Sequence, residues 1–128
     1  MDGGEAVKAF AQALQRLKEV LAEAETAIIR DAAIKRFEFT FELAWKATQR
    51  FFRIQGVPCR SPKQCLQEAF AFGLVQDNPL WIRMLEDRNL TVHTYNEKTA
   101  QKIYNNLKDC LPLFSQLHQG LSRHLGTR

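Results

Sequence analysis

Arg88, His93 and Tyr95 lie within eight positions of one another in the run Leu80 to Asn96, LWIRMLEDRNLTVHTYN, and their types are those that handle anions and protons. A guanidinium stays charged at any ordinary pH and grips a phosphate or a carboxylate through two parallel hydrogen bonds. An imidazole gives and takes protons near neutrality. Read as a helix, the run places Trp81, Leu85, Arg88 and Val92 on one face, apolar except for Arg88. A charge on an apolar stripe is costly to bury, so it needs a carboxylate, a phosphate or a wet cleft. A bundle without chemistry accounts for the same residues in another way. Arg88 then pairs with an acid such as Glu42 or Glu38. His93 answers the negative end of a helix dipole, and Tyr95 packs with a wet hydroxyl.

The elements that must position these residues are helices. Val7, Phe10, Leu14, Leu17, Leu21 and Ala24 form a narrow seam and predict a first helix from about Gly4 to Glu25. A second helix is expected from about Ile28 to Gln55, with Ile34, Phe37, Phe41, Trp45, Thr48 and Phe52 as its main stripe. Phe39, Leu43 and Ile54 fall on nearly the opposite side, and a helix apolar on two faces is central to a bundle or is covered by a second chain. Gly56 and Pro58 end it. Ser61-Pro62 opens a short third helix to about Phe72, which Gly73 stops. Asp77, Asn78 and Pro79 start a fourth, ending near Thr91 or Val92. Asn96 caps a fifth from Glu97 to about Gln119, which Pro112 should bend or split. The tail 120–128 is expected to fray. No stretch alternates with period two over the length of a strand. The fold class is therefore all-α, an antiparallel up-down four-helix bundle with one additional short helix, in a single domain over residues 1–128.

Composition sets the outer limits. The chain has 128 residues, 45% hydrophobic and 25% charged, as in ordinary globular domains. No apolar run approaches the roughly 20 residues that span a bilayer, and the N-terminus has no secretory pattern. A cytoplasmic protein with no membrane partner is the expectation. Cys59, Cys65 and Cys110 form no CxxC pair and lack a fourth ligand at zinc spacing, so they are expected to be reduced and unligated, with no metal and no cofactor. The net charge of +4 is mild. Lys46, Arg50 and Arg53 share a helix face in a segment free of acids, either a solvated basic face or a docking strip for nucleic acid or an acidic protein. No glycine-rich phosphate loop and no Gly-Ser with Asp-x-Asp occur, so the chain holds no nucleotidyltransferase active site.

Three segments, RFEFTFELAWK (Arg36 to Lys46), SPKQCLQEAFAFGL (Ser61 to Leu74) and LWIRMLEDRNLTVHTYN, resemble the nucleotidyltransferase substrate-binding proteins, a HepT-like branch of the HEPN superfamily. The resemblance covers roughly Val7 to Leu117. It implies a helical-bundle homodimer and a partner, a separate minimal nucleotidyltransferase, as in HEPN toxin–antitoxin modules. It implies that Arg88, His93 and Tyr95 line the cleft between two subunits, where the ligand is RNA or a nucleotide; by its position next to Arg88, Asn89 would orient a ligand or the histidine. In relatives acting as toxins, Arg and His cut RNA without metal, and the partner silences them by adding AMP to the Tyr. Here those residues are Arg88, His93 and Tyr95. His93 would move the 2′-hydroxyl proton, a role worth roughly 10²–10⁴ in rate, while Arg88 offsets charge at phosphorus. Three functions follow for testing: a substrate-binding subunit, a metal-independent ribonuclease, and a purely structural dimeric bundle.

Overall fold

The computed structural model describes residues 3–125. Five α-helices follow in order: α1 (Gly3–Leu21), α2 (Ala27–Ile54), α3 (Pro62–Phe72), α4 (Leu80–Leu90) and α5 (Glu97–Leu125), with a 3-10 turn, Thr91–His93, after α4. No strand occurs among the described residues. Three helices are long, of 19, 28 and 29 residues, and the other two have 11 each. Thus α4, expected among the longer helices, matches α3 in length.

The long helices α1, α2 and α5 pack on one another, and α4 closes the bundle against α5 and α2. Phe10, Phe37 and Phe114 meet at its centre, with the Phe10 and Phe114 rings edge to face at 5.9 Å. Trp81 brings α4 into the same cluster, 6.2 Å from Phe114. Such edge contacts set the positive rim of one ring against the negative face of another.

Local signals fix the helix ends. Ser61 Oγ accepts from the Gln64 amide, Pro62 occupies the first turn, and Gly73 closes α3 at φ +91°, a conformation that suits glycine. Thr26 Oγ1 caps α2 by accepting from the Ile29 amide. Asn96 Oδ1 accepts from the Thr99 amide at the start of α5.

Four further expectations need correction. First, α1 ends at Leu21, so Ala24 lies outside the seam and is exposed. Second, α5 neither splits nor stops at Gln119. Pro112 sits on its exposed side, where water serves the carbonyl that loses an amide partner. Third, the helix continues past Gly120, which is buried beside Leu74: a Cβ there would lie 2.9 Å from the Leu74 carbonyl oxygen. This glycine marks a close approach of backbone and not a fraying end; residues 126–128 of the expected tail lie outside the described residues. Fourth, Cys59 and Cys65 are joined in a disulfide and only Cys110 is free. The turn that leads into α3 brings their Cα atoms to 5.1 Å, within bonding range although the sequence has no CxxC.

Candidate functional site

Helix α4 is rotated relative to the face read from the sequence. Its buried residues are Trp81, Met84 and Asp87, and Thr91 follows on the same side. Leu85 and Arg88 are half-buried, and Val92 is exposed. Arg88 is therefore at the edge of the seam and not on its centre line. The inward position belongs to Asp87, only 2% exposed. Its carboxylate accepts from Asn106 Nδ2 on α5 at 2.9 Å. Burial pushes the Asp87 carboxyl above its ordinary range, against the pull of Asn106 and of the Arg83 and Lys102 charges.

Arg88 turns toward α2. Its Nη2 donates to Glu42 Oε2 at 3.2 Å, its Nη1 donates to Asn89 Oδ1 at 3.3 Å, and its guanidinium carbon lies 5.8 Å from the Phe41 ring centre. Glu42 is thus the acid that meets Arg88, while Glu38 pairs with Lys35 at 3.7 Å. Glu42 Oε2 also accepts from Trp45 Nε1 at 3.1 Å, and Oε1 faces Lys46 Nζ at 3.3 Å. Burial pushes the Glu42 carboxyl up, but the hydrogen bonds from Trp45, Lys46 and Arg88 outweigh it and hold it below its ordinary value. The clamp is therefore ionised at neutral pH.

His93 ends the 3-10 turn and Tyr95 follows in the loop before α5. Their rings stand edge to face at 5.9 Å, and the Tyr95 hydroxyl lies 3.4 Å from His93 Nδ1. Both side chains are exposed, Tyr95 by 80%. Within one chain the site is two pairs, Arg88 with Asn89 and His93 with Tyr95; among the described residues no hydrogen bond joins them.

Two grooves meet here. One, of about 450 Å³, is walled by Glu38, Phe39, Glu42, Arg88, Asn89 and Val92. The other, of about 640 Å³, includes Asp31, Lys35, Thr94 and Tyr95 and shares Glu38 and Val92 with the first. Phe39, Val92 and Tyr95 are exposed along this face. On the basic strip, Lys46 is committed to Glu42, Arg50 is half-buried and Arg53 is exposed.

Residues 5–123 match the model of the family described as nucleotidyltransferase substrate binding protein like. The chain belongs to that family. Among its relatives of known structure, a crystal structure of a Thermus thermophilus protein aligns with a TM-score of 0.82 at 42% identity, covering 88% of this chain and 98% of that one. A Haemophilus influenzae structure, described as revealing the fold of a substrate binding domain of a nucleotidyltransferase, aligns with a TM-score of 0.81 at 26% identity, over 90% and 98%. A probable ribonuclease HepT of Haemophilus influenzae (strain ATCC 51907 / DSM 11121 / KW20 / Rd) is 33% identical over 84 residues. That match spans 62% of this chain and 58% of the relative, less than two thirds of its length.

Sequence reasoning missed Asp87 as a buried acid and Trp45 as a donor to Glu42. The first was legible only in the alternative helix phase, Trp81, Met84, Asp87 and Thr91, which a polar member disguises. The second was hidden by reading Trp45 as part of the main core stripe.

Proposed function

We propose that this member of the family is the substrate-binding subunit of a separate minimal nucleotidyltransferase and works as a homodimer that holds a nucleotide or an RNA segment at Arg88. The observation that carries the reading is the placement of Arg88: pinned by Glu42, yet 34% exposed and walling an open groove beside Asn89. A phosphate competing for this guanidinium replaces one anion by another, with Tyr95 offering a ring face nearby. Self-association is supported by the outer face of α2, where Asp31, Lys35, Glu38, Phe39, Glu42 and Lys46 recur at helical spacing. Laid antiparallel on a second copy about a two-fold axis between Glu38 and Phe39, this face sets Asp31 opposite Lys46 of the partner subunit and Lys35 opposite Glu42 of the partner subunit. Opposite charges then meet and the exposed Phe39 is covered. Of the basic strip Lys46, Arg50 and Arg53, Lys46 belongs to that face, and Arg50 and Arg53 beyond it suit an acidic partner surface.

The test is equilibrium binding of a nucleoside triphosphate and of single-stranded RNA to the purified protein. Wild type is expected to bind one of them and Arg88→Ala to lose at least tenfold in affinity. Equal binding by the two proteins would remove Arg88 from the site.

The second reading is a metal-independent ribonuclease silenced by AMP addition at Tyr95. It is favoured by the His93–Tyr95 contact, because a bulky anion on that hydroxyl would sit against the imidazole, and by the probable ribonuclease among the relatives. RNA cleavage that persists unchanged in Arg88→Ala and His93→Ala would end this reading. Mass spectrometry after incubation with an active partner and ATP tests Tyr95 directly.

A further inference from the structure

We propose that the Cys59–Cys65 disulfide is a redox switch acting on Arg88 through Trp45 and Glu42. The far end of helix α3 is held by Phe72, whose ring stands 5.1 Å from that of Phe51 and 5.2 Å from that of His124, while its first turn depends on Cys65 and Leu66 for burial. The disulfide ties its first turn to the loop after α2, which is itself held by a bond from Gln49 Nε2 to the Cys59 carbonyl. Cys65 and Leu66 share a void of about 10 Å³ with Trp45, Thr48, Trp81 and Phe41, so the indole of Trp45 packs where the oxidised cysteine fixes α3. The same indole donates to Glu42 Oε2, and that oxygen also accepts from Arg88. The shared void thus sets the disulfide beside Trp45, and two hydrogen bonds on Glu42 Oε2 connect Trp45 to the cation of the groove.

The step is a thiol–disulfide exchange with a low-molecular-weight thiol or a dithiol protein. A thiolate attacks the Cys59 sulfur, reached by opening of the loop whose Pro58 and Arg60 are exposed, and Cys65 leaves as a thiolate that takes a proton. A second thiol resolves the mixed disulfide. Two reductant thiols become one disulfide, and Cys59 and Cys65 become two thiols, for two electrons and two protons. Disulfides in reducing compartments are typically transient and sensing. Cys110 takes no part: burial pushes its thiol up to about 12, which leaves almost no thiolate at neutral pH. In the reduced protein the first turn of α3 loosens, the wall of the void beside Trp45 gives way, and Glu42 holds Arg88 less firmly. The guanidinium then becomes more available to an anion.

The experiment uses the full chain, oxidised with oxidised glutathione or reduced with dithiothreitol. Thiol titration after denaturation is expected to find one thiol in the oxidised protein, Cys110, and three in the reduced one. The side-chain Nε–H resonance of Arg88, assigned by its loss in Arg88→Lys, is expected to shift on reduction and to return on reoxidation. In Trp45→Phe the thiol counts are expected to change as before while the Arg88 resonance stays still. Three thiols after oxidation, an Arg88 resonance indifferent to redox state, or an undiminished shift in Trp45→Phe would each overturn the switch. The functional consequence rests on Arg88 being the ligand-holding cation, and ATP serves as the probe. Several-fold tighter ATP binding after reduction supports the switch. Arg88-dependent binding that is equal in both states overturns the switch and leaves the proposed function standing. A redox-dependent resonance with no nucleotide or RNA binding at all overturns the function and leaves the conformational coupling.

Discussion

Arg88 Nη2 and Trp45 Nε1 donate to the same oxygen, Glu42 Oε2, at 3.2 and 3.1 Å. One carboxylate therefore joins the end of α4 to the middle of α2, and it sets where the guanidinium points. Replacing Glu42 by Gln keeps the size and removes the charge. Because Arg88 and Glu42 are 34% and 38% exposed, the stability loss is expected to be under about 1 kcal/mol in urea denaturation. The carboxyl is held below its ordinary value in the folded chain, so its contribution is complete above that ordinary value and is lost as pH falls through the depressed one. Wild type should lose this increment in acid and Glu42→Gln should not. The same variant should bind anions more tightly at neutral pH, since Arg88 no longer has a competing charge.

Asp87 titrates with the opposite sign. Burial raises its carboxyl, so the folded chain holds the proton more firmly than the unfolded one. Its effect favours folding most at pH below the ordinary value and weakens as pH rises through the raised one. Asp87→Asn keeps an oxygen for Asn106 and removes the ionisation, and it is expected to be neutral or stabilising at pH 7. Asp87→Ala strands the Asn106 amide and should cost about 1–3 kcal/mol. Thermal melts across pH 4 to 8 separate the two.

Phe39 is 53% exposed at the centre of the α2 face that is proposed to self-associate. Phe39→Asp is expected to give monomers in sedimentation velocity at concentrations where wild type is dimeric. The register has its own check. Asp31→Lys and Lys46→Asp should each weaken the dimer, and the double variant should recover part of the loss. No recovery would reject that antiparallel register.

Gly120→Ala tests the close approach of α5 to the turn after α3. Alanine gains up to about 1 kcal/mol of helix propensity over glycine. The added Cβ, however, would lie 2.9 Å from the Leu74 carbonyl oxygen, a backbone atom that cannot swing away. The net effect is expected to be destabilising by about 1–3 kcal/mol in chemical denaturation. A stabilised variant would mean that the turn is free to give.

What the sequence disclosed was mostly local. Ser61, Pro62 and Gly73 specify the ends of α3 through capping chemistry contained within a few residues, so its bounds, Pro62–Phe72, were legible. The long seams of α1 and α5 gave the bundle, because their apolar positions repeat often enough to fix the phase. Helix α4 has 11 residues and carries Asp87 on its inner face, so its phase could be set by Leu85 and Val92 as well as by Met84 and Thr91. The residue types of the site were visible, and Glu42 was among the acids that Arg88 was expected to meet. Its second donor, the Cys59–Cys65 bond and the contact that requires Gly120 all arise from tertiary neighbours, on which spacing along the chain is silent.

The imidazole and the guanidinium ride on different kinds of support. Arg88 stands on a helix wedged in place by Trp81 and Met84, whereas His93 closes a three-residue 3-10 turn. Rewinding so short a turn would sacrifice very few backbone bonds. Re-aiming the imidazole therefore takes less backbone rearrangement than re-aiming the helix that carries the guanidinium.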